Sequence, residues 1–142
     1  MSTALLDINV LLALAWPNHD HHDAAHRWFD DVPDRKWATC TLTQLGFIRI
    51  SSNPAAMPQP VTPQQAATVL NELCADQNHE FWSSPNADQL SIYSQAKGHQ
   101  QVNDAWMVEL ARQNIGVLAT LDKRLYVHDS SGKIVILVTA MP

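Results

Sequence analysis

Asp7, Gln44, Asp104 and Asp122 each stand at the edge of an apolar run: Leu5-Leu6-Asp7, Leu42-Thr43-Gln44-Leu45, Val102-Asn103-Asp104-Ala105 and Leu118-Ala119-Thr120-Leu121-Asp122. These positions read as strand ends and helix starts. In an open parallel sheet, the carboxyl ends of strands are where side chains from distant parts of a chain converge on a ligand crevice. Oxygen donors in such a crevice suit magnesium-like cations, which take few ligands from protein and fill the rest with water or phosphate. The set points to metal-assisted phosphate chemistry. Each aspartate alone has an ordinary role: Asp7 as a cap, Asp104 as a first-turn helix acid, Asp122 as a turn residue. Gathered together, carboxylates repel, and they are tolerated when a cation or a proton neutralises them.

The elements that must position these residues follow from apolar spacing. Ala4-Leu5-Leu6-Asp7 reads as a short buried strand, and Val10 to Trp16 as a helix broken by Pro17-Asn18. His19 to Val32 carries Ala24, Ala25, Trp28 and Phe29 at helical spacing and stops at Pro33. Trp37 to Cys40 is a second strand, after which Thr41 or Thr43 caps a helix bearing Leu45, Phe47, Ile48 and Ile50, with Gln44 in its first turn. Prolines 54, 58, 60 and 63 forbid a helix through the next stretch. Thr62-Pro63 then starts one that runs through Ala66, Val69, Leu70 and Cys74. Phe81-Trp82 is a further strand, Asp88 caps a helix from Gln89 to Lys97, and Val102 to Gln113 forms another. Gly116 to Thr120 and Lys133 to Val138 are buried strands. Apolar strands alternating with helices imply an α/β fold with a mainly parallel sheet. Right-handed crossovers would bring Asp7, Asp104 and Asp122 to one edge of it.

A chain of 142 residues, 46% hydrophobic, suits one globular domain. No apolar run is long enough to span a membrane, and no basic leader precedes the first strand, so the expectation is a cytoplasmic protein with no membrane association. Cys40 and Cys74 lack metal or redox spacing and read as reduced, buried thiols. The net charge of −5 is opposite in sign to that of a protein that holds nucleic acid by bulk electrostatics. It weighs less against a nuclease, because site carboxylates supply part of it and a bound cation reverses the local field.

The ordered set Leu-Leu-Asp-x-Asn-Val-Leu, Leu-Thr-Gln, Asn-Asp-Ala and Ala-Thr-Leu-Asp resembles the PIN domain, specifically the VapC-type ribonuclease toxins, over nearly the whole chain. The resemblance implies a single PIN-like domain over residues 1–142, built as an α/β/α sandwich. It also implies a magnesium- or manganese-dependent endoribonuclease that forms a homodimer and is neutralised by a cognate antitoxin inserted into its active site. By position, Asp7, Asp104 and Asp122 would be the acidic, metal-binding residues and Thr120 the accompanying hydroxyl. Gln44 stands where most PIN domains carry glutamate; its carbonyl can bind a cation or hold a coordinated water, but it cannot act as a general base. One cation would be held mainly by Asp7 and Asp104, with Asp122 contacting its waters, and hydrolysis would leave 5′-phosphate and 3′-hydroxyl ends. Such chemistry does not require the ribose 2′-hydroxyl, so RNA is the substrate on resemblance alone.

Other groups invite competing assignments. His19, His21, His22 and His26 could share a metal, yet no HExxH pattern is present and a solvated or packed helix face accounts for them. Trp16, Trp28, Trp37, Trp82 and Trp106 read as core or dimer packing rather than base stacking, with Trp16 a candidate for an interface. Arg49, Lys97, Lys123 and Arg124 are the cations placed to meet substrate phosphates. Two alternatives keep part of this picture: a PIN-like module, weakened at Gln44, that only binds RNA or protein, and an aspartyl-phosphate phosphohydrolase. Asn9 argues against the second, which would need an aspartate there.

Overall fold

The computed structural model describes residues 2–84 and 86–138. Five short strands form one sheet in the order β3-β2-β1-β4-β5, and every pairing is parallel. They are β1 (Ala4–Leu6), β2 (Trp37–Thr39), β3 (His79–Phe81), β4 (Val117–Thr120) and β5 (Val135–Leu137). The chain lays β1, β2 and β3 outward in one direction, then returns to place β4 on the other side of β1. That reversal puts a crevice at the carboxyl ends of β1 and β4, where open sheets bind ligands.

Alternating residues of the strands feed two cores. Ala4, Leu6, Trp37 and Ala119 pack with Val10, Leu11, Phe47, Ala66 and Leu70 on one face. These helical residues come from α1 (Ile8–Ala15), α3 (Thr41–Ser51) and α4 (Pro63–Cys74); Ala25 adds α2 (His22–Asp30). Leu5, Ala38, Cys40 and Leu118 pack on the other face with Trp106, Met107 and Leu110 of α5 (Val102–Gln113). The result is an α/β/α sandwich with a wholly parallel sheet, in keeping with the sequence. β1, β2 and β4 are buried on both faces, which is why no polar alternation marks them, whereas the edge strand β3 is largely exposed.

Local chemistry sets the helix starts. Thr62 and Gln65 form a reciprocal capping box for α4, with Pro63 at its first position. In α3, Thr43 rather than Thr41 serves: its hydroxyl accepts the Cys40 N–H at 3.0 Å. A Cβ on Gly46 would lie 2.2 Å from Ile8 Cδ1, so glycine is what lets α3 approach the start of α1.

Several expected boundaries shift. The helix expected over Gln89–Lys97 is a 3-10 turn, Leu90–Tyr93, with Gln89 and not Asp88 at its cap; a second 3-10 turn, His99–Gln101, leads into α5. Of its apolar residues Ile92 packs on the core, whereas Leu90 is 90% exposed, so there is no stripe to stabilise an α-helix. The third strand begins at His79, with Trp82 buried just beyond it. Helix α2 begins at His22, after a turn in which His19 Nδ1 accepts the His21 N–H. Cys40 is buried as expected, but Cys74 is only half-buried; both are free thiols.

Candidate active site

β1 ends by delivering Asp7 into the cap of α1. The Asp7 N–H bonds the Ala119 carbonyl of β4 at 2.9 Å, which extends the parallel ladder to the residue itself. Its carboxylate then accepts two hydrogen bonds, from the Ile8 N–H at 2.7 Å and from the Thr120 hydroxyl at 2.7 Å. Asp7 is only 6% exposed. Burial pushes its carboxyl up to about 6, against the lowering effect of those two bonds, and the charges of Asp104 and Asp122 raise it further.

Thr120 is the joint of the site. Besides donating to Asp7, its Oγ1 accepts the Asp122 N–H at 3.0 Å and lies 3.4 Å from Asn9 Nδ2. Asn9 Oδ1 in turn accepts the Leu121 N–H at 3.1 Å, so α1 and the end of β4 are stitched together. Asn9 was legible in sequence only as a mark against a phosphohydrolase; its position in the first turn after Asp7, facing the same way as the cap, was the available signal.

Asp122 caps the 3-10 turn Lys123–His128 and has a different environment. Arg124 grips it in a fork, Nε to Oδ1 at 2.9 Å and Nη2 to Oδ2 at 2.8 Å, while the Arg124 N–H also bonds Oδ1. These bonds hold its carboxyl below the usual carboxylate range. Asp104 lies in the first turn of α5, whose start faces the carboxyl ends of the strands because the helix runs back towards β4. Burial raises the Asp104 carboxyl, Asp122 raises it further, and His128 and Arg124 oppose the shift. His128, which sequence reading passed over, is thus an electrostatic neighbour of Asp104. Burial holds its imidazole below the ordinary range, and its Nδ1 is buried without a partner.

Thr120 therefore ties Asp7 to Asp122 at the β1–β4 reversal, and Asp104 bears on both through its charge. Gln44 is placed differently: its amide donates to Thr39 Oγ1 at 3.0 Å, and that hydroxyl also meets His79 Nε2 at 2.8 Å. Thr39 shares the Trp37 face of β2, whereas Thr120 shares the Leu118 face of β4. The amide nitrogen is thereby anchored on the opposite side of the sheet from the Asp7 carboxylate.

The donor set fits a hard divalent cation. Burial raises the proton affinity of both Asp7 and Asp104, and neighbouring carboxylates raise it further, a condition a cation relieves. Among the described residues, no three of His, Cys, Asp or Glu already converge as ligands. A magnesium-like ion does not need them to, since water and phosphate complete its shell.

The histidine group is occupied structurally. His22 Nδ1 lies 2.7 Å from the Ala13 carbonyl and His26 Nε2 lies 2.9 Å from the Leu14 carbonyl, where they satisfy the open end of α1. Trp16 stacks on Phe47 at 5.9 Å and donates to Ser51, so it packs within the chain. Among the described residues, no helix is long and apolar enough to cross a membrane.

The sequence model of the PIN domain matches residues 4–130. Ribonuclease VapC39 of Mycobacterium tuberculosis is 39% identical over 140 residues, covering 95% of this chain and 99% of that one. Ribonuclease VapC38 of the same organism is 39% identical over 127 residues, 87% of each chain. Among solved structures, PAE2754 from Pyrobaculum aerophilum superposes with a TM-score of 0.62 at 22% identity, over 94% of this chain and 83% of that one. A chain of FitAB bound to an IR36 DNA fragment superposes with a TM-score of 0.63 at 15% identity, over 99% and 98%. At those identities the two structures speak to the fold. Together with the site built at the β1–β4 reversal, the full-length matches establish that this chain belongs to the PIN-domain family, among its VapC ribonucleases.

Proposed function

We propose that the protein is a divalent-metal-dependent endoribonuclease, acting with magnesium or manganese, and the toxin of a toxin–antitoxin pair. The observation that carries this reading is the pair Asp7 and Asp104, two acids held at the sheet reversal with raised proton affinity and a shared need for positive charge. Kinship with proteins named ribonuclease supplies the substrate class.

In this reading Asp7 and Asp104 would hold the cation, with Asp122 contacting its waters. When bound, the cation neutralises charge on the scissile phosphate and acidifies an attacking water. Thr120 fixes which way the Asp7 carboxylate points. Asn9 and Thr120 fix the backbone of Leu121 and Asp122. Asp104, whose proton affinity burial raises, would orient the water and take its proton. Gln44 contributes no base and serves through its anchor on Thr39.

A cognate antitoxin, homodimer assembly and a cytoplasmic site of action complete the proposal on the strength of VapC kinship. Incubating the protein with a pool of structured RNAs in magnesium, manganese or chelator, beside Asp7→Ala, tests the core of it. Cleavage that requires both the metal and Asp7 is expected. Absence of cleavage together with absence of metal binding would favour a module that only binds RNA.

A further inference from the structure

Arg124 is an exposed side chain devoted to one acid of the site. Its side chain is 83% exposed and that of Asp122 24%, yet guanidinium and carboxylate meet in a two-pronged fork. Arg124 also lowers the proton affinity of Asp104, so its charge bears on two of the three acids. It stands where the cation's charge would be needed. The same contact leaves Asp122 with both oxygens taken, consistent with the absence of a converged three-ligand set among the described residues.

We propose that Arg124 is an internal counter-ion that keeps Asp122 out of the metal-binding set until an RNA phosphate draws the guanidinium away, so that substrate and cation bind cooperatively. The inference rests on the metal-dependent reading above. Three physical facts support it. A planar guanidinium matches a phosphate as well as it matches a carboxylate. An exposed ion pair is weak, so a phosphate arriving in the crevice can compete for it. The Asp122 backbone is fixed independently by its N–H bond to Thr120, so release of the fork frees the carboxylate without moving the residue. Linkage then requires that RNA and cation strengthen one another equally.

Calorimetric titration of Mn²⁺ into the RNA-free protein tests this without reference to activity. Arg124→Ala is expected to tighten Mn²⁺ binding about two- to fivefold, the range an exposed pair can supply. Lys123→Ala removes the same charge one residue away from a side chain that makes no ion pair among the described residues; it should change the affinity less than about twofold. In an Asp122→Asn background, Arg124→Ala should give at most about half of that gain, the part that comes from its charge on Asp104, because the rest passes through the freed carboxylate. Added RNA with hydrolysis-resistant phosphorothioate linkages should tighten Mn²⁺ binding more in the wild type than in Arg124→Ala. An unchanged affinity in Arg124→Ala, or the same gain in Lys123→Ala or in the Asp122→Asn background, overturns the counter-ion while leaving the metal centre standing. Failure of both the wild type and Arg124→Ala to bind Mn²⁺ overturns the metal centre, and the counter-ion with it.

Discussion

Asp7 and Asp122 share Thr120 as a hydrogen-bond partner and follow neighbouring parallel strands, yet their surroundings differ in kind. Asp7 is sealed between β1, β4 and α1, and two hydrogen bonds do not offset the burial that raises it to about 6. Asp122 is partly open, and the guanidinium of Arg124 holds it low. One carboxylate is fixed in position but short of positive charge; the other has its charge met by a partner that solvent can reach. The difference teaches that the geometry of the site is built from the interior outward, while its charge balance is adjusted from the surface inward.

The largest test of that contrast is removal of the interior acid. Asp7→Ala is expected to reduce RNA cleavage at least about 100-fold, as loss of a group acting directly on the reaction does, while circular dichroism reports an intact fold. Asp104→Asn should behave alike.

Thr120→Val comes next. It leaves the Asp7 carboxylate one donor short and the Asp122 N–H without its acceptor in a buried position. A loss of about 1–3 kcal/mol in denaturant-measured stability is expected, with lowered cleavage. If stability falls and cleavage does not, Thr120 holds the fold and not the site.

The protonation of Asp7 offers a test in the opposite direction. Burial lifts its carboxyl to about 6 when folded, against 3.8 for an exposed aspartate. Between those values the folded protein carries the extra proton, so this group's contribution is fully present below about 3.8 and is lost as pH rises through about 6. The loss approaches about 3 kcal/mol. Asp7→Asn removes the titration, so metal-free wild type should lose stability relative to Asp7→Asn as pH rises from about 4 to about 6 and level off above. A pH-independent difference would show that Asp7 is not held uphill.

A subtler perturbation leaves every site residue in place. Gly46→Ala would push on Ile8, the residue whose N–H holds the Asp7 carboxylate. A few-fold loss of cleavage is expected, of about the size that small misplacements of site groups produce. Smallest of all, His22→Ala with His26→Ala should cost about 1 kcal/mol per lost carbonyl partner and leave cleavage unchanged.

Local chemistry made much of this molecule readable in advance. Pro63 after Thr62, and Trp37 to Cys40 ahead of Thr43, mark their elements by punctuation and period, which act over a few residues. Period alone served for Val102 to Gln113, whose apolar face is buried, and failed over Gln89 to Lys97, where nothing covers Leu90. Cys74 went partly astray for the same reason, since exposure depends on what packs above a residue. Gln44 was placed correctly in its helix, but the anchor it finds on Thr39 comes from a neighbouring strand and cannot be seen in a linear motif.

By itself the sequence determined the order and types of the acids, the strands and helices that carry them, and the family pattern they compose, because these depend on local spacing. Tertiary structure alone decided that β4 returns to the side of β1, bringing Thr120 within 2.7 Å of an aspartate 113 residues earlier in the chain. It also decided which acid is buried and which is gripped by arginine. Strand order, desolvation and charge pairing depend on distances in space, and those are fixed only when the sheet closes and its two faces are covered.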